Sequence, residues 1–148
     1  MIRFVEELST RPKARAAVVL THDYAEQKTW AAELARQTGA AYIHLLDRFS
    51  EDPDLAENLS DFSISQFLEF LQGQSESRVL IVSGMEFLKA IWSGQTSATQ
   101  EFARRIQTRS RTPCLLFVLQ HDNALASYDF GSRYRYRFIV DQKETYKL

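Results

Sequence analysis

Short, unbroken apolar runs alternate along this chain with segments in which apolar residues recur every three or four positions. Residues 16–20 (AAVVL) have the length and composition of a strand buried on both faces, and residues 41–46 (AYIHLL), 78–82 (RVLIV) and 114–119 (CLLFVL) read as three further strands. Between the first two, residues 29–38 read as a helix. Trp30, Leu34 and Thr38 share one side, and Gly39 follows as a stop. Ile64, Phe67, Leu68 and Leu71 fall at i, i+3, i+4 and i+7. Ser63 and Gln66 are spaced as a capping box, and Gly73 closes the helix. Residues 85–92 predict a short helix or turn-helix, and residues 97–109 a longer one with Phe102 and Ile106 on its stripe. Residues 134–140 predict a fifth strand of another kind, with Arg133, Arg135 and Arg137 alternating against Tyr134, Tyr136 and Phe138. The polar stretch 47–61 reads as loop with a short helical piece after Asp52-Pro53, and 120–132 reads as loop.

Near-continuous apolar strands joined by helices imply a parallel sheet with helices on both faces. The expected fold is α/β, a three-layer α/β/α arrangement around a five-stranded, mostly parallel sheet, formed by residues 1–148 as one domain. Hydrophobic residues at 45% and charged residues at 25% agree with a globular chain. The N-terminal residues lack the apolar stretch of a signal peptide, and no run has the ~18–20 apolar residues of a membrane span. The cytoplasm is therefore the expected compartment, with no membrane partner. A single cysteine, Cys114, excludes an internal disulfide and reads as core filler. Scattered His22, His44 and His121 give no metal-ligand spacing, so no metal is expected.

In doubly wound folds the informative segment follows the first strand. Here it is His22-Asp23-Tyr24-Ala25-Glu26-Gln27-Lys28-Thr29. Laid on the phosphate-loop pattern G-x-x-x-x-G-K-[ST], Lys28 and Thr29 take the Lys and Ser/Thr positions. His22 and Gln27 replace the two glycines, and side chains there disfavour the backbone wrap that cradles phosphate. Asp23 and Glu26 would repel a triphosphate. After the third strand, Ser83 stands where a carboxylate would hold Mg²⁺. Glu86 lies three residues on and reads as a surface acid, or as the base if the site is active. Gln120 and Asn123 follow the fourth strand as potential ligand contacts or loop caps. Neither ATP nor magnesium is the expected cofactor.

This layout resembles the P-loop NTPase superfamily in its smallest, single-domain form. The Lys28-Thr29 helix running into Gly39-Ala40-Ala41-Tyr42-Ile43, and the last strand Tyr134-Arg135-Tyr136-Arg137-Phe138, are similar to the small BrxF-type P-loop proteins of bacterial BREX phage-defence islands. The resemblance implies a RecA/AAA-like core and a defence-system component working beside larger ATPase and methyltransferase partners. The absent glycines and acid imply a degenerate site and a pseudo-NTPase. The expected function is thus a non-catalytic assembly or regulatory subunit that contacts protein partners or its own copies. Two alternatives stand beside it. One is an active NTPase with Lys28 on phosphate, Thr29 on Mg²⁺ and Glu86 as base. The other is a DNA- or RNA-binding accessory. Charge is uneven although the net is −1: residues 47–61 hold six acids and one arginine, and residues 101–111 hold four arginines and one acid. Arg104, Arg105, Arg109 and Arg111, with Arg133, Arg135 and Arg137, are the expected partner or nucleic-acid contacts.

Overall fold

A computed structural model describes residues 1–22, 25–93 and 97–140. The helix α1 (Ile2–Thr10) leads into β1 (Ala16–Thr21), α2 (Gln27–Thr38), β2 (Ala41–His44), α3 (Leu45–Glu51) and α4 (Pro53–Glu57). A 3₁₀ turn (Leu59–Asp61) then precedes α5 (Ile64–Gln72), β3 (Val79–Ser83), α6 (Glu86–Trp92) and α7 (Ala98–Thr108). The chain closes with β4 (Cys114–Gln120), α8 (Asn123–Ser127) and β5 (Arg137–Ile139). The five strands are all parallel and lie in the order β2-β3-β4-β1-β5.

Strand alternation divides the core into two layers. Val18, Leu20, Leu80, Val82, Leu115 and Phe117 face one side, where α3, α5, α6, α7 and α8 bring Phe49, Phe67, Leu88, Ile106 and Leu125. Val19, Ile81, Leu116 and Val118 face the other, covered by Leu8 of α1 and by Trp30 and Leu34 of α2. Every residue of β1 and β3 is buried, as the unbroken apolar runs require of strands covered twice. Phe67, Phe102 and Phe117 form a tilted aromatic stack with Trp92. Cys114 is fully buried, and its thiol reaches the Leu8 carbonyl at 3.4 Å.

Local chemistry sets the helix ends. Ser63 accepts from the Gln66 amide while the Gln66 side chain accepts from the Ser63 amide, so the expected capping box forms in full. Asp52 caps α4, with Pro53 at its first position. Gly39 ends α2 in the left-handed region, at φ 71°.

Three sequence expectations need correction, and one helix stands where no element was expected. Residues 2–10 form a helix, because Phe4, Val5 and Leu8 supply one apolar stripe against the sheet. Residues 45–61 are largely helical, since Leu45 and Phe49, one turn apart, both enter the core. Residues 123–127 form a short helix capped by Asp122. The fifth strand covers Arg137–Ile139 alone; Tyr136 is buried beside it, and Tyr134 packs edge-on against Tyr136.

Candidate functional site

The connection leaving β1 runs through α2 on one face, whereas that leaving β4 runs through α8 on the other. The two chain paths diverge at the carboxyl ends of adjacent strands, and that opening is where doubly wound folds bind ligands. Here the chain's own side chains occupy it. Gln27, the first residue of α2, is 1% exposed. Its Nε2 donates to Glu86 Oε1 at 3.1 Å and makes a longer contact, 3.4 Å, with Thr21 Oγ1. Its Oε1 accepts from the Gly84 amide at 3.4 Å. Glu86 Oε1 also accepts from the Gln120 amide at 3.0 Å. The tips of β1, β4 and β3 are thus laced together, and Thr21 completes the lacing by donating to the Leu119 carbonyl at 3.1 Å.

Glu86 is therefore not the surface acid expected. Its carboxylate turns inward, and Oε2 is buried with no hydrogen bond among the described residues. A second cluster lies at the tips of β2 and β3. The parallel register sets His44 opposite Ser83. Ser83 Oγ lies 2.9 Å from His44 Nδ1 and 2.6 Å from the Tyr42 hydroxyl, and it is fully buried. The hydroxyl that stands where a magnesium ligand would be has its hydrogen bonds consumed internally. Burial, with a smaller effect from nearby Lys28, holds the His44 imidazole below its ordinary pKa, against the opposing pull of Asp47 and Glu86. Burial likewise pushes the Tyr42 phenol up. Gly84 fits here because its φ is +71° and because a β-carbon would lie 2.5 Å from the His44 ring.

Lys28 points elsewhere. Its ammonium pairs with Asp47, in the first turn of α3, and that pairing lowers the Asp47 carboxyl pKa. Thr29 is exposed one position further along α2. Asp23, within the loop, lies outside the described residues. Gln120 enters the site through its backbone amide, its side chain being exposed, while Asn123 is the exposed first residue of α8. His22 stacks on His121 at 5.1 Å beside this opening. Among the described residues no cluster of three or more metal-ligating side chains occurs, and no helix is long and apolar enough to cross a membrane.

The arginines divide. Arg104 is exposed on α7. Arg105 is half-buried and donates to Ser65, near Glu101. Arg109 donates to the Pro113 carbonyl and to Gln72, and Arg111 pairs at 3.4 Å with Glu69. Arg133 and Arg135 are exposed. Arg137 is not an outward contact: it donates to the Leu125 and Tyr128 carbonyls and lies over the Phe130 ring. A strand reading expected Arg137 to share a wet face with Arg133 and Arg135, but α8 packs over it.

Sequence reasoning passed over Tyr42, His44 and Asp47, whose roles depend on which strand lies beside β2. The signal for Gln27 was present, as a bulky polar residue at the position of a loop glycine. Comparisons with family models, curated proteins and solved structures found no match to the chain.

Proposed function

We propose that this chain is a P-loop-type scaffold that has lost nucleotide hydrolysis, serving as an assembly or regulatory subunit of a multi-protein bacterial complex, with anti-phage defence the setting its resemblance suggests. The observation that carries this reading is Gln27. A side chain stands at a glycine position, buried, with both its polar atoms committed to Thr21, Glu86 and Gly84. An incoming phosphate would have to displace it and strip the half-buried Glu86 carboxylate of its donor. It would also meet Glu86 without a facing cation, since Lys28 is held by Asp47. The strand order β2-β3-β4-β1-β5 suits a RecA/AAA-like core and agrees with the reading.

Isothermal calorimetry with ATP and Mg²⁺ tests it. The expected result is no saturable heat at millimolar nucleotide. Saturable binding that disappears in Lys28→Ala would overturn the proposal.

A further inference from the structure

The strands of a parallel sheet all begin at one end of the molecule. In this chain arginines precede four of the five. Arg15 precedes β1, Arg78 precedes β3, Arg109 and Arg111 precede β4, and Arg133 and Arg135 precede β5. The structure joins them into one surface. The Arg15 amide donates to the Arg109 carbonyl at 2.8 Å, and the Cys114 amide to the Arg78 carbonyl at 2.8 Å. Arg11, buried beneath, donates to the Ala14 carbonyl at 3.2 Å and to the Arg135 carbonyl at 2.7 Å. Two sequence clusters that lie far apart in the chain thus meet at the amino-terminal end of the sheet, away from the Gln27 opening.

These cations are mostly uncompensated. Among the described residues, only Arg111 of the six pairs with a carboxylate, at 3.4 Å and exposed. The neighbouring Glu7 is held by Arg11. Burial lowers the Arg109 guanidinium pKa to about 10, and the adjacent Arg111 and Arg15 charges add to that fall. Like charges kept this close, with Glu69 the one acid paired to the six among the described residues, suit a surface completed by a polyanion.

We propose that this end of the sheet binds a nucleic-acid backbone. The strands β3, β4, β1 and β5 are adjacent, so the arginines extend over three interstrand steps, about 14 Å. That row matches about four phosphates at ~3.4 Å rise along one strand. Cations strung in a row suit a linear polyanion better than a single small anion, on which they would converge. The exposed Arg78, Arg111, Arg133 and Arg135 present guanidinium groups, planar donors that engage phosphate oxygens in pairs, while Arg15 and Arg109 add charge behind them, donating to the Arg11 and Pro113 carbonyls. The contact is to backbone and carries no base preference. It stands independently of the nucleotide reading, because it uses the opposite end of every strand.

Fluorescence anisotropy with a labelled 30-nucleotide single strand and the matching duplex tests this, at 50 to 200 mM salt. The protein is expected to bind at 50 mM, with a log–log salt slope of about −3 to −5. The exposed-site variant Arg78→Ala/Arg111→Ala/Arg133→Ala should lose at least tenfold in affinity and flatten that slope. A control double, Arg48→Ala/Lys89→Ala, removes two cations on α3 and α6, the helices that leave the carboxyl ends of β2 and β3, and should bind as the parent does. Circular dichroism melts establish that both are folded, and Arg133→Ala alone, expected to weaken binding about threefold, substitutes if the triple is not. Absence of binding at 50 mM, or equal loss in the triple and in the control, overturns the proposal. So does an oligomer, seen by sedimentation, that the triple dissolves while nucleic-acid affinity is unchanged, since that result assigns this end to a second copy of the chain.

Discussion

Gln27 and Glu86 stand 59 positions apart in the chain and meet at 3.1 Å across the tip of β4. Gln27 supplies one of two donors to Glu86 Oε1, the other being the Gln120 amide, on a carboxylate whose Oε2 is buried. Gln27→Ala should cost about 1–3 kcal/mol, the usual penalty for stripping a partner from a buried polar group. Urea denaturation measures it. Glu86→Gln in the Gln27→Ala background should recover part of the loss, because a neutral amide is cheaper to leave partly unpaired than a carboxylate.

Gly84→Ala meets two obstacles at one atom. Its φ of +71° disfavours a β-carbon, and that carbon would press on a His44 ring already fixed by Ser83. Strain and overpacking together predict about 2–5 kcal/mol of destabilisation. An unchanged denaturation midpoint would contradict the packing described for the β2 and β3 tips.

Acid should weaken the fold through His44. Its folded-state pKa lies below the ordinary 6.5, chiefly through burial. In the unfolded chain it takes up a proton at higher pH than in the folded chain, so between those values the unfolded state binds more protons and stability rises with pH. Stability is full above 6.5 and falls as the pH drops from there toward the folded value. Thermal melts at pH 7.5 and 5.5 should show this decline, and His44→Gln should make it shallower.

Core and cap substitutions calibrate these effects. Phe117→Ala, at the centre of the aromatic stack, should cost about 3–5 kcal/mol. Ser63→Ala, which removes half of the capping box, should cost about 1 kcal/mol.

Much of the sheet could be read from the chain, because a strand buried on both faces announces itself as an unbroken apolar run. The runs at 16–20, 78–82 and 114–119 lie within one or two residues of β1, β3 and β4. The Ser63–Gln66 box was legible for a similar reason, its chemistry being local. Other features depend on neighbours far away in the chain. The apolar run 41–46 drew Leu45 into the second strand and the acidic content of 47–61 hid Phe49, whereas both belong to a helix held by the core rather than by its own preference. The inward turn of Glu86 requires Gln27 and Gln120 to stand at adjacent strand tips, and the His44–Ser83 pair requires β2 to lie beside β3 in register. The arginines showed the same limit. Read along helices and strands they were separate faces, and only strand direction gathers them at one end.

The placement of α1 bears on how the chain folds. The Leu8 carbonyl receives the Cys114 thiol from 106 positions downstream, and Leu8 packs in the layer that also holds Ile81 and Leu116. During synthesis this segment is made long before β3 and β4, so only β1 and α2 can shelter its apolar stripe while two-thirds of the polypeptide follows. Contacts of such long sequence separation slow folding. The delay leaves Phe4, Val5 and Leu8 open to chaperones, or to wrong partners, until β4 is complete.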